Sequence, residues 1–448
     1  MSFNPIERLS LGVAILASCT VTALATAQPR GQPQPPAAPN VRASPGGVTL
    51  EALLRHAEKH APEIALARAG LSKGRAELEA EAPLFPSDPV LGGAIGRRSN
   101  RTGAGIDWGV SLEQEIEVAG ERGLRRRAAR ASLDQGAAEL DAARWRVHQR
   151  LHGAFHAALV ARERVRAADR LVQFSQKLVE VAKQRLSAGE TSALPVRLAE
   201  SDLAESRQAR VAAESAFRAE RLELADASGW PSESPPDPSG GLGSPQAPSP
   251  LAELLRIAQT GDPELRAREA AVRRFRAALA SARRAGFPNP RLGVAFERES
   301  DPGGARATIW RATLSAPLPL WRGSRPESVR AQADLDVAVA EVGARKRTLD
   351  ARIRRAAEAV ESTARRMRIY GAEVIPTLEK NLTLVEKAFE LGEIDITQVL
   401  VARERFLRSQ QSALNAYEEY HRALGALESA VGTELESASQ HAAEAGTQ

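Results

Sequence analysis

The sequence predicts a mostly α-helical chain with a small β part, built as two tandem structural repeats. Three observations carry this. The second half repeats the first at a nearly fixed step: Pro62-Glu63-Ile64 returns as Pro263-Glu264-Leu265 (263 − 62 = 201), Phe85-Pro86 as Phe287-Pro288 (287 − 85 = 202), and Gly189-Glu190 as Gly392-Glu393 (392 − 189 = 203). Helical apolar periodicity then runs for about 70 residues in the first repeat. Finally, two short alternating segments recur at the same place in each half.

Composition agrees. Only 4% of the 448 residues are aromatic, and the chain is rich in Ala, Leu, Arg and Glu, which favours long helices over a compact mixed fold. The net charge of +5 comes from 61 basic against 56 acidic residues spread along the helices. That pattern fits solvated helix faces and gives no nucleic-acid surface.

The elements follow in order. Residues 1–27 read as a signal peptide: Arg8 precedes an apolar run from Leu9 to Leu24, and Ala25-Thr26-Ala27 offers a cleavage site before Gln28. The run is too short for a convincing membrane span. A second processing route stays open, because Leu16-Ala17-Ser18-Cys19 resembles a bacterial lipobox that would end in lipidated Cys19. Either route exports the chain, and cleavage after Ala27 removes its only cysteine. Residues 28–47 form a Pro/Gln-rich lead-in, 48–229 the first repeat, 230–250 a proline-rich linker, 251–435 the second repeat and 436–448 a tail.

Each repeat reads as helix, strand pair, very long helix, tight turn, helix. The first helix spans about Thr49 to Glu81 and ends at Pro83 and Pro86. Strands are expected at Val90–Arg97 and Gly105–Ile116, then Arg291–Arg298 and Ala307–Ala316, with turns at Asn100–Gly103 and Asp301–Gly304. In the second strand Ile106, Trp108, Val110 and Leu112 share one face; in the fourth, Trp310 and Leu314 do. The long helix runs from near Glu121 to Ala188, on the order of 100 Å at 1.5 Å per residue. Its seam places Leu151, Ala158, Val165, Val172, Val179 and Leu186 at seven-residue steps, with Ala154, Ala161, Ala168, Ser175 and Ala182 three residues later. A small residue at every second seam position lets neighbouring helices approach closely. The second repeat follows the same design, with a kink expected at Pro376.

Four apolar-faced strands of 8 to 11 residues on an exported chain fit transmembrane β-strands, yet four cannot close a barrel and open edges are not tolerated in lipid. Such a chain has to oligomerise. A soluble sheet capping a non-pore-forming periplasmic coiled-coil scaffold is the competing reading.

The chain resembles the TolC-type outer-membrane efflux channels from about Val48 to Glu434. The resemblance lies in the doubled layout, in the openings APEIALARAG and DPELRAREA, and in FPNPRLGVAFE entering a strand. It also lies in the helix–turn–helix segments RLSAGETSALPVRLAESDLAESR and AFELGEIDITQVLVARERFLRSQ, while SLEQEIEVAGERGLRRRAARA is similar to the branch serving heavy-metal (cobalt–zinc–cadmium type) efflux pumps. The resemblance implies a homotrimer with a twelve-stranded β-barrel in outer-membrane lipid. It also implies a periplasmic α-barrel of long antiparallel coiled coils that docks a resistance-nodulation-division type inner-membrane pump through a periplasmic adaptor protein. The cargo it implies is divalent metal ions; drugs or secreted polypeptides are the alternatives within the same class.

On this reading the tips Gly189, Glu190, Gly392, Glu393 and Asp395 meet the adaptor, and Thr191 or Ser192 and Asp395 cap the following helices. Relatives carry aspartates six and nine residues after the second glycine as a ring at the tunnel mouth. Gln398 and Val401 stand there instead, so the resemblance does not carry that aspartate gate over, and Glu190, Glu393 and Asp395 are the acidic residues left near the mouth. Trp108, Val110, Trp310 and Leu314 are expected to face lipid. Arg122, Arg125, Arg126, Arg127 and Arg130 either meet lipid phosphates or form local ion pairs. His148, His152 and His156 lie at i, i+4 and i+8 on one helix face, a weak metal candidate because no carboxylate or cysteine completes the set nearby in sequence; the pair His56 and His60 reads the same way. No phosphate loop, nucleophile elbow, dinucleotide fingerprint or His/Cys metal cluster is present, so neither a cofactor nor an enzymatic activity is expected.

Overall fold

The structure is a computed structural model that describes residues 47–100, 103–300, 306–318, 320 and 325–435. The expected signal segment, Cys19, most of the lead-in and the tail lie outside them, as does most of the two strand turns.

The opening helix is two helices. Thr49 caps α1 (Leu50–His60) by accepting from the Ala52 amide at 3.3 Å. Pro62 then forces Ala61 into extended backbone and starts α2 (Pro62–Ala80). This corrects the single helix expected over Thr49–Glu81: a proline suited to a first turn both ends one helix and begins the next. Strands β1 (Val90–Asn100) and β2 (Gly103–Glu115) follow, then α3 (Glu121–Ser187), 67 residues long, and α4 (Ala193–Ser228). The second repeat gives α5 (Leu251–Gly261), Asp262 in extended backbone, α6 (Pro263–Arg284), β3 (Arg291–Ser300), β4 (Arg306–Ser315) and α7 (Arg325–Ile369). A π-helical turn, Tyr370–Val374, separates α7 from α8 (Ile375–Glu390), and α9 (Ile396–Val431) closes the fold. The expected disturbance at Pro376 is therefore accommodated just upstream, where the wider turn absorbs the missing amide. Among the described residues no helix is long and apolar enough to cross a membrane.

The repeat is visible in the core. Leu53, Ala57, Leu151, Ala158, Leu224 and Ala227 are buried together in the first half. Their counterparts Leu254 (254 − 53 = 201), Ala258, Ile353, Val360, Leu427 and Ala430 (430 − 227 = 203) are buried together in the second. A third cluster joins the repeats near the helix turns, with Val179, Ala182, Val196 and Ala199 against Phe389, Ile396 and Val399. The small-residue seam of α3 is buried as expected at Ala154, Ala161, Ala168, Ser175 and Ala182, whereas Val165 is half-buried and Leu186 exposed.

The four strands form one antiparallel sheet in the order β1-β2-β3-β4. Its central pair, β2 with β3, joins the two repeats, with Val110 opposite Phe296 and Leu112 opposite Val294. Among the described residues, β1 and β4 each keep one edge unpaired.

Candidate functional site

The sheet register sorts its side chains. Residues directly opposite each other in an antiparallel pair share a face. Ile95 pairs with Trp108, Val110 with Phe296, Phe296 with Trp310, and Leu292 with Leu314. One face therefore carries Leu91, Ile95, Trp108, Val110, Leu112, Leu292, Val294, Phe296, Trp310 and Leu314, with Arg97 and Arg298 toward the strand ends. Phe296 sits between the two tryptophans, with ring centroids 5.7 Å from Trp108 and 5.1 Å from Trp310. Trp310 and Leu314 are each 72% exposed, so among the described residues nothing covers this apolar face. The opposite face is charged: Arg98 bridges Asp107 at 3.0 Å and Glu299 at 2.9 Å, and Arg311 meets Glu297 at 2.9 Å. The Ser300 amide donates to the second carboxylate oxygen of Asp107 at 2.9 Å.

Basic residues at the start of α3 find local partners. Arg125 pairs with Glu117 and, at 2.8 Å, with Glu81, while Arg122 donates to the carbonyls of Ala82 and Pro83. These contacts fasten α3 to the end of α2, which accounts for two of the five arginines without lipid.

The helix turns lie at the far end of α3, on the order of 100 Å along its axis. Gly189 and Gly392 adopt φ of 75° and 77°, the left-handed geometry that glycine adopts without strain. The second turn sits beside the end of α3: a Cβ on Gly392 would come 3.3 Å from Arg185, whose guanidinium lies over the Phe389 ring at 5.6 Å. Arg185 also faces Glu190 at 3.6 Å. Asp395 caps α9 in a capping box, with its own amide donating to Gln398 at 3.2 Å. Gln398 thus has a structural partner that its placement at a tunnel mouth did not anticipate. Ser192 occupies the N-cap of α4 without a side-chain bond, and Thr191 is not the cap. Glu190, Glu393 and Val401 are exposed, and so are Leu194 and Leu391.

Between tips and sheet, a buried polar group links the repeats. Ser175 of α3 donates to Asp202 of α4 at 2.6 Å and contacts Ser206 at 2.9 Å, while Arg403 of α9 pairs with Asp202 and donates to Ser206 at 3.1 Å. Ser175 stands in a seam where every other small residue is alanine, which was the only signal of this network in the sequence.

The histidines of α3 do form a row. Ring centroids are 5.6 Å apart from His148 to His152 and 5.1 Å from His152 to His156, and His156 stacks on His421 of α9 at 3.6 Å. Burial pushes His152 down to about 4 and His421 to about 3, and His156 lower still, so these rings are neutral at ordinary pH. His148 meets Glu434, just beyond α9, at 2.6 Å. The carboxylate missing from the local sequence is supplied by the fold. His56 and His60 instead stack on each other at 4.3 Å beside Trp230, with His56 contacting the Gly229 carbonyl at 3.4 Å.

Comparison with known proteins agrees with this geometry. The chain is 22% identical over 337 residues to the cobalt-zinc-cadmium resistance protein CzcC of Cupriavidus metallidurans, covering 75% of this chain and 78% of that one. Its fold matches the CmeC outer membrane channel of Campylobacter jejuni with a TM-score of 0.71, at 17% identity over 88% of each chain. It matches CusC with a TM-score of 0.69, at 15% identity over 89% of this chain and 98% of that one. The family model for outer membrane efflux proteins matches residues 53–230 and again 254–433, one match per repeat. The chain belongs to the outer membrane efflux protein family, proteins of the outer membrane whose helices extend into the periplasm.

Proposed function

We propose that the protein is the outer-membrane channel of a tripartite efflux system, a passive conduit for divalent metal ions delivered by an inner-membrane pump and a periplasmic adaptor. The observation that carries this is the sheet, apolar on one face, charged on the other, and unpaired at the edges of β1 and β4. An even number of alternating strands lets β4 of one chain pair with β1 of the next without reversing direction. Three chains then give twelve strands, enough to close around a polar lumen. The apolar face, with Trp108, Val110, Trp310 and Leu314, meets lipid, while the ion pairs of Arg98 and Arg311 line the inside.

The tips at Gly189 and Gly392 are the adaptor surface on this reading. Exposed Leu194 and Leu391 beside Glu190 and Glu393 offer it apolar contact within a charged rim. Similarity to a cobalt-zinc-cadmium resistance protein supports metal ions as cargo, and supports a resistance-nodulation-division type pump as the source. The test is cellular metal content. A strain lacking this chain should accumulate cobalt, zinc or cadmium on challenge and recover when the gene is returned. Unchanged content for all three, with an outer-membrane trimer present, would sink the metal cargo while leaving the channel standing.

A further inference from the structure

We propose that His148, His152 and Glu434 form a binding site for a divalent transition-metal ion, fixed between the long helix of the first repeat and the end of the second. Their ligand atoms, one from each residue, all lie within 4.8 Å of one another. A tetrahedral zinc site with bonds of about 2.0–2.1 Å sets its ligands about 3.3 Å apart. Small side-chain rotations therefore suffice to bring the three onto one ion.

The contact between His148 and Glu434 is short but poorly directed. Nε2 lies 2.6 Å from Oε1, yet among the described residues no acceptor or donor is aligned with that nitrogen as a hydrogen bond requires. An imidazole nitrogen and a carboxylate oxygen are thus held close without a directed hydrogen bond between them, an arrangement a metal ion can bridge. The surroundings hold the set in place. Trp145 stacks on His148 with centroids 5.2 Å apart and planes within 10°. Glu434 is anchored from both sides: Gly432 turns the chain at φ 88°, and the buried Leu435 donates its amide to Glu428 at 3.1 Å.

Two imidazoles and one carboxylate suit Zn²⁺, Co²⁺, Ni²⁺ or Cu²⁺. They supply no thiolate or thioether for Cu⁺ and too few oxygens for Ca²⁺ or Mg²⁺. Three protein ligands leave a fourth position to water, so the ion exchanges. Bound there, it ties α3 to the segment after α9 and favours the folded state. The site stands apart from the cargo reading, because it concerns ions held by the protein itself and is measured without a pump.

The experiment is zinc and cobalt titration of the tag-free, detergent-extracted full-length protein. Calorimetry should give one zinc per chain, and cobalt should give the intense visible absorption of a tetrahedral nitrogen–oxygen site. Zinc should raise the thermal midpoint, and magnesium should not. Glu434→Gln and, separately, His152→Gln should weaken zinc at least tenfold and abolish the thermal shift, each with an unchanged size-exclusion profile. His60→Gln should leave binding intact. Absence of stoichiometric zinc, or zinc affinity unchanged in both variants that assemble, would overturn the site; so would loss of binding in His60→Gln alone.

Discussion

Gly229 and Gly432 end the two repeats in the same left-handed turn, 203 residues apart (432 − 229 = 203), with φ of 68° and 88°. Each presses on the backbone where its repeat's opening helix breaks. A Cβ on Gly229 would lie 2.4 Å from the His60 carbonyl oxygen, and one on Gly432 would lie 2.5 Å from the Asp262 Cα. Backbone meets backbone there, so nothing can swing aside.

Gly229→Ala should therefore cripple assembly, whereas Gly189→Ala should not. Both need positive φ, which costs about 1–2 kcal/mol, but Gly189 has open space around its Cβ position. Trimer yield after outer-membrane extraction reads the difference. Equal yields would mean that the close approach at Gly229 relaxes without cost.

Removing Asp202 should leave the Arg403 charge unpaired inside the junction between repeats. Both side chains are largely buried, at 5% and 12% exposed, and breaking such a pair costs about 3 kcal/mol. Asp202→Ala should lower the thermal midpoint, and adding Arg403→Met should restore most of it. If the double variant melts no higher than the single one, the loss comes from packing and not from the stranded charge.

The tips separate docking from folding. Gly392→Val costs about 1–2 kcal/mol in positive φ but meets only the flexible Arg185 guanidinium, while Gly293→Val in β3 would meet Thr313 Oγ1 at 2.4 Å and Glu113 Cγ at 2.9 Å. The first should assemble normally and lose metal resistance; the second should harm assembly. Full resistance in a normally expressed Gly392→Val strain would remove the case for these turns as the adaptor contact.

Trp108 and Trp310 should be quenched by lipids carrying a shallow bromine or spin label, and little by aqueous iodide. Single-tryptophan variants read each position. Strong quenching by iodide alone would place the apolar face toward water and reverse the facing of the sheet.

Much of this was legible in the sequence because it is periodic. The repeat, the length of α3, the small-residue seam and the alternation around Trp108 are local patterns, and each reappears as structure. Local proline chemistry was legible in type but misplaced in detail. Pro62 divides a helix that its apolar pattern runs through, and the disturbance from Pro376 falls at Tyr370–Val374. What the sequence concealed is long-range. Arg403 reaches Asp202, and Glu434 and His421 reach the histidine row, only because α9 packs beside α3 and α4. Spacing along one helix cannot reveal a ligand from another.

The central claim is that four strands per chain close a shared barrel in the outer membrane. Native mass measurement of the protein extracted from outer-membrane fractions tests it most directly. The account predicts particles of three chains that stay together in detergent. A stable monomer, or a protein that washes off with the periplasmic fraction, would contradict it.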